Sequence, residues 1–211
     1  MHAVVAMKYR DDCVALDLDT GETILLPVSA VTGLSIHVGS TISREGYDMI
    51  KEESRRFQCK RAAFDYLAIR PRTVSEMERY LTRKGFDAGM IRDAVDELTR
   101  SGYLNDADYA ARYIGARLRK KLVGKHLLAA ELQRRGVSLQ VIRHALKGAG
   151  AQMAAIDEVY DLALKKYNSL GRAKNRVTKI ASFLRGRGFD FDTITAVVER
   201  LRSEIGHEED A

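Results

Sequence analysis

The sequence predicts a mainly all-α protein. It reads as three tandem three-helix repeats forming an elongated, curved array, preceded by a small β-hairpin-containing N-terminal segment. Three observations carry this reading. A glycine-centred phrase occurs as LTRKGF at 81–86, LQRRGV at 132–137 and LRGRGF at 184–189. From about residue 60 onward, apolar residues follow the three-to-four spacing of helices. The first 45 or so residues instead alternate, with a turn signal between two apolar runs.

The expected organisation is a β-hairpin segment with a linking helix over 1–58, then repeats over 59–104, 105–150 and 151–211. In the first segment Val14, Leu16 and Leu18 alternate with Ala15, Asp17 and Asp19. A turn at Asp19-Thr20-Gly21 leads to the run TILL, which predicts a hairpin, and VVAMKY at 4–9 predicts a third strand. Ser43-Arg44-Glu45 opens a polar helix expected to reach about Gln58, burying Tyr47, Ile50 and Phe57. The first repeat begins with AAFDYLAIR at 62–70, which Pro71 stops. Thr73 and Glu76 have the spacing of a capping box for the next helix.

Aligned on Leu81, Leu132 and Leu184, the phrases agree without a gap. Each has a basic residue (Lys84, Arg135, Arg187), then Gly85, Gly136 or Gly188, then Phe86, Val137 or Phe189. Asp87, Ser138 and Asp190 follow as helix caps, and Ile91, Ile142 and Ile194 as core positions. A glycine just past the last turn closes a helix through positive φ. A basic residue there opposes the negative end of the helix dipole. The unit is therefore helix–glycine turn–helix with one helix before it: DYAARYIGARLRKK, capped by Asn105 or Asp106, in the second repeat, and AAIDEVYDLALKKY in the third. Links are expected near 101–106 and at GAGAQ, 148–152.

Net charge is +6, but its placement is uneven. Residues 109–150 hold ten Lys or Arg and one acid, Glu131, whereas 60–108 and 151–211 are balanced and 1–59 is acidic. The cations are Arg112, Arg117, Arg119, Lys120, Lys121, Lys125, Arg134, Arg135, Arg143 and Lys147. They are the candidate binding residues for a nucleic acid or an acidic protein surface. Reversing Arg117, Arg119, Lys120 and Lys121 to Glu is expected to abolish function with the fold intact. Tyr109 and Tyr113 lie one turn apart and read as core residues rather than base-stacking platforms.

Catalytic and cofactor chemistry finds no place in the pattern. The histidines make no HxxxH pair, and Cys13 and Cys59 stand apart as expected reduced, structural thiols. Gly124-Lys125-His126 resembles the end of a P-loop, but Arg119 replaces its first glycine and no Ser or Thr follows the lysine. The expectation is a non-enzyme with no metal and no cofactor. The N-terminus lacks a basic start, a long apolar stretch and a cleavage site, so secretion is not expected, and no apolar run approaches the ~18 residues of a membrane span. A cytoplasmic monomer with no membrane partner is the expectation. Glycine-joined helices also leave open a helix-turn-helix-like DNA-binding regulator acting on naked DNA.

At the first junction the residues RSGYLNDADYAARYI, with AFDYLAIRPRTVSEMERYLTRKGF before them and GKHLLAAELQRRGV after, resemble the RecX family of bacterial recombinase regulators. The resemblance is close over about 60–150 and looser through the third repeat. The N-terminal hairpin is similar to that of the family's longer members. The combination that carries it is YLxxR, SExE, LxxKG, GYLxDxxYA and Gly124, with Asn105 where the family commonly has Asp. Tyr103, Leu104, Asp106 and Tyr109 are expected to pack at the junction between repeats. The resemblance implies a protein that binds the RecA filament on DNA; the expected nucleic-acid partner is single-stranded DNA within the filament, or DNA bound weakly and directly. It also implies inhibition of the recombinase, ATPase and co-protease activities of RecA in DNA repair and the SOS response.

Overall fold

The computed structural model describes residues 1–171 and 173–209, with side chains through Glu204. Arg172, Asp210 and Ala211, all assigned from sequence to the third repeat, lie outside the described residues. Two compact units divide the chain, Met1–Leu104 and Asn105–Ala211.

The first unit opens with strands β1 (His2–Arg10), β2 (Cys13–Leu18) and β3 (Thr23–Pro27). A short helix α1 (Val28–Gly33) and the two-residue strand β4 (Thr41–Ile42) follow. The antiparallel sheet has the order β3-β2-β1-β4. The expected hairpin pairs Leu16 with Ile24 and Val14 with Leu26. Its turn closes as the N–H of Gly21, at φ 82°, donates to the Leu18 carbonyl. The expected third strand is β1. Neither α1 nor β4 is expected from sequence: six helical residues span too few turns to show a period, and β4 exists only through pairing with His2 and Ala3.

Helix α2 (Arg44–Ile69) corrects the expected break near Gln58. It is a single helix of 26 residues, capped by Ser43, whose hydroxyl accepts the Gly46 N–H. No proline or glycine interrupts it after Gly46, so nothing local stops it before Pro71. One end buries Ile50 in the core of Val14, Leu16, Leu26 and Val31. The other buries Cys59 and Ala63 against Met77, Leu81 and Leu98. The first helix of the first repeat is therefore the second half of α2. Of the contacts expected near its start, Ile50 is buried, while Tyr47 and Phe57 are only half-buried.

Helices α3 (Val74–Arg83) and α4 (Ala88–Arg100) complete that repeat. The capping box forms: the buried Thr73 hydroxyl accepts the Glu76 N–H, and Glu76 accepts the Thr73 N–H. The neighbouring Arg72 guanidinium lies 3.7 Å from the centroid of Tyr66, which stacks on Tyr80.

The second unit contains α5 (Asp106–Lys120), α6 (Lys125–Arg134) and α7 (Leu139–Gly148). A 3-10 turn, Gly150–Gln152, leads to α8 (Ile156–Ser169), α9 (Arg176–Gly186) and α10 (Phe191–Glu209). One core gathers Ala110, Ile114, Leu128, Leu132 and Ile142; the other gathers Val159, Tyr160, Ala163, Ile180, Leu184 and Val197. Asn105 caps α5 by accepting the N–H groups of Ala107 and Asp108. Ala149, inside the expected GAGAQ link, is buried.

The three glycine turns have one geometry. Gly85, Gly136 and Gly188 take φ values of 82°, 84° and 81°. In each, the N–H after the glycine returns to the anchor carbonyl: Phe86 to Leu81, Val137 to Leu132 and Phe189 to Leu184. The glycine N–H donates one residue further along, to Thr82, Gln133 or Arg185, which completes a Schellman closure. Asp87, Ser138 and Asp190 then accept the N–H of Met90, Val141 and Thr193.

The turn at Gly188 has a further duty. Helix α6 starts at Gly124, which has no side-chain cap. Instead the N–H of Gly124 donates to the Arg187 carbonyl at 2.9 Å, and that of His126 to the Gly188 carbonyl at 3.0 Å. The α9–α10 turn thus satisfies two N–H donors at the start of α6. The approach is so close that a Cβ on Gly124 would lie 2.1 Å from the Gly188 oxygen. One on Gly188 would lie 2.1 Å from the Leu127 nitrogen.

Candidate partner-binding surface

The ten cations of 109–150 divide by what they touch. Arg117 on α5 is turned inward, its side chain 27% exposed against 19% for Glu131 on α6. Its Nε and Nη2 donate to the two Glu131 carboxylate oxygens at 2.9 and 2.6 Å. Tyr113 donates its hydroxyl to the same carboxylate at 2.8 Å, and the Arg135 guanidinium lies 5.0 Å from the Tyr113 ring centroid. The sole acid of the stretch is thus consumed internally. The Arg117 guanidinium holds the Glu131 carboxyl below the usual carboxylate range, against the opposing effect of burial.

Lys125, at the start of α6, pairs with Asp190 at 2.7 Å. Asp190 is thereby both the cap of α10 and a carboxylate held well below its usual range, first by Lys125 and then by the Thr193 N–H. Arg112 pairs with Asp108 one turn earlier on α5. Four candidates, Arg112, Arg117, Lys125 and Arg135, therefore have partners inside the chain. The expectation that Arg117 can be reversed with the fold intact is not compatible with its bidentate bond to Glu131.

Six others are different. Arg119, Lys120, Lys121, Arg134, Arg143 and Lys147 are exposed and carry no ion pair among the described residues. Arg119 and Lys120 end α5, Arg134 ends α6, and Arg143 and Lys147 lie one turn apart on α7. Cations in the last turn of a helix are locally favoured by its dipole, which suits Arg119 and Lys120 on α5, Arg134 on α6 and Lys147 on α7. Each of the six carries uncompensated positive charge.

A groove of about 520 Å³ lies between α5 and α7. Its lining includes Ala107 and Ala111 of α5, Val141, His144 and Ala145 of α7, and Gln152; no carboxylate lines it. Sequence reading misses these residues, because alanines on an outward helix face resemble spacers. The spacing Ala107, Ala111, Gly115 is the signal that marks them.

The basic residues of the other two glycine turns are occupied. Lys84 lies 5.7 Å from the Tyr80 ring centroid. Arg187 lies over Phe183 and donates to the Leu122 carbonyl at 3.1 Å, a tie to the α5–α6 connection rather than to its own helix end. Of the residues expected at the repeat junction, Leu104 is buried, whereas Tyr103 is exposed with its ring edge-on to Phe64. Tyr109 and Tyr113 pack against the second repeat's core. Among the described residues, no group of three His, Cys, Asp or Glu is placed to hold a metal ion, and no helix is long and apolar enough to cross a membrane.

Comparison with known proteins agrees with this architecture. Residues 59–98 match the family description "RecX, first three-helix domain", and 105–146 match "RecX, second three-helix domain". A regulatory protein RecX of Clostridium perfringens (strain 13 / Type A) is 29% identical over 203 residues, covering 94% of both chains. That of Amycolatopsis mediterranei (strain U-32) is 31% identical over 160 residues, covering 74% of this chain and 90% of the relative. A crystal structure of a regulatory protein RecX superposes with a TM-score of 0.75 at 18% identity, covering 94% of this chain and all of that one. RecX from Lactobacillus salivarius gives 0.62 at 23% identity over 70% of this chain and 96% of the other. The glycine turns, the paired three-helix domains and this identity over most of a relative's length lead to one conclusion: the chain belongs to the RecX family.

Proposed function

We propose that this protein is a non-enzymatic regulator that binds the RecA filament on single-stranded DNA and restrains its recombinase, ATPase and co-protease activities. Membership of the RecX family supports this reading, and one observation ties it to a surface. The unpaired cations Arg119, Lys120, Lys121, Arg134, Arg143 and Lys147 stand together in sequence with no free acid among them. A nucleoprotein filament offers them carboxylates and phosphates, and opposite charge speeds encounter and sets register.

The test is ATP hydrolysis by RecA on single-stranded DNA, measured as the protein is added. Hydrolysis falls as it is added, and the fall weakens as salt rises. Unchanged hydrolysis, together with tighter binding to bare duplex DNA of a preferred sequence, would make it a DNA-binding regulator instead.

A further inference from the structure

The groove between α5 and α7 has features that a purely electrostatic surface does not need. Its α5 wall is built from Ala107 and Ala111, one helical turn apart, and its α7 wall from Val141 and Ala145, also one turn apart. Small side chains on both walls let another backbone approach closely, and the two parallel rows match the one-turn spacing of a helix laid between them. Gln140, His144 and Gln152 are its polar members, and the floor itself lacks the Lys or Arg lining that a seat for a phosphate backbone would require.

The edges of the groove are basic. Arg143 and Lys147 are neighbours of the lining residues His144 and Gly148 on α7. On the α5 side, the Arg119 guanidinium reaches back to within 3.5 Å of where a Cβ on Gly115 would stand. All three cations are exposed and carry no ion pair among the described residues. Asp108, beside Ala107 on α5, is taken up by Arg112, so an apolar floor with these three unpaired cations at its edges is complementary to a helix whose apolar stripe is flanked by carboxylates.

We infer that this groove seats an amphipathic helix with a small-to-medium apolar face flanked by acids, presented by the protein component of the RecA filament. The identity of the presenting partner rests on the function proposed above; the chemistry of the occupant rests on the groove. The apolar floor gives the contact its register, and the rims select acidic flanks over basic ones.

Two measurements test it. In the first, alanine methyl resonances of the whole protein are followed while a synthetic amphipathic peptide with a Leu/Ala face and Glu flanks is added, and then a counterpart with Lys flanks. The Ala107, Ala111 and Ala145 methyls shift with the Glu peptide and not with the Lys peptide. In a variant carrying Arg143→Glu and Lys147→Glu, which leaves the floor intact, that preference reverses. No shift at these methyls, or an equal response to both peptides, overturns the inference.

In the second, Ala111→Phe, an exposed position, fills the groove. It weakens binding to RecA-coated single-stranded DNA about tenfold and leaves binding to bare single-stranded DNA unchanged. An unchanged filament affinity, or an equal loss on bare DNA, overturns the inference. If the unsubstituted protein ignores the filament while the peptide result holds, the recombinase reading falls and the groove chemistry stands.

Discussion

The turns at Gly85 and Gly188 have nearly the same local sequence, nearly the same φ and the same Schellman hydrogen bonds, yet they do different things. A Cβ on Gly85 would meet nothing within 4 Å; this turn closes α3 and makes one side-chain contact, its carbonyl accepting the Arg55 guanidinium at 3.0 Å, with no backbone packed on the glycine. Gly188 is pressed against Leu127, and its carbonyl caps α6. A repeated phrase therefore specifies backbone geometry, while the neighbour decides whether that geometry also carries tertiary structure.

The largest test of this difference is a set of glycine replacements. Gly188→Ala adds an atom 2.1 Å from a backbone nitrogen, at a φ that already disfavours a side chain. It is expected to cost about 3 kcal/mol or more in denaturant unfolding. Gly124→Ala has no φ penalty, its φ being −88°, so any comparable loss isolates the backbone clash. Gly85→Ala should lose only about 1–2 kcal/mol, the left-handed penalty alone. Equal losses at Gly85 and Gly188 would show that the docked turn contributes nothing beyond local closure.

Next in size is the division among the cations. Removing Arg117 leaves Glu131 partly buried without its bidentate partner, so Arg117→Ala should cost about 2 kcal/mol. Arg119→Ala should lie within about 0.5 kcal/mol of the unsubstituted protein. Thermal or urea unfolding of both variants reads the contrast, and a stability loss at Arg119 matching that at Arg117 would erase it.

The smallest effect is titrational. Asp190 is held well below the usual carboxylate pKa, so its contribution is complete above the unfolded value of about 4 and is lost as pH falls further. In that acid range the unfolded chain binds more protons than the folded one, and stability rises with pH. Asp190→Asn keeps a good helix cap but removes the charge, so its stability should rise less steeply there. An unchanged slope would mean that the Lys125–Asp190 pair has no net linkage to folding.

Legibility in the sequence follows the range of the interaction. Gly85, Gly136, Gly188, Thr73 and the capping residues were readable because their chemistry is settled within a few residues. The continuity of α2 was not, because Cys59 and Ala63 look equally plausible beginning a helix or continuing one. The excess charge of 109–150 was visible as composition. Its division was not: Arg117 meets Glu131 through the packing of α5 on α6, and Lys125 meets Asp190 across most of the second unit. Gly124 stood out twice, as a failed P-loop and in the family pattern. Its physical reason, contact with Gly188, has no local signal at all.

The most direct measurement is affinity for RecA-coated single-stranded DNA, compared between two charge reversals. One variant carries Arg119→Glu, Arg143→Glu and Lys147→Glu; the other carries Lys84→Glu, in the glycine turn of the first repeat. The triple variant should lose on the order of 100-fold in affinity with unfolding unchanged, and Lys84→Glu should remain close to the unsubstituted protein. A larger loss at Lys84 than in the triple variant would contradict the assignment of binding to the second repeat.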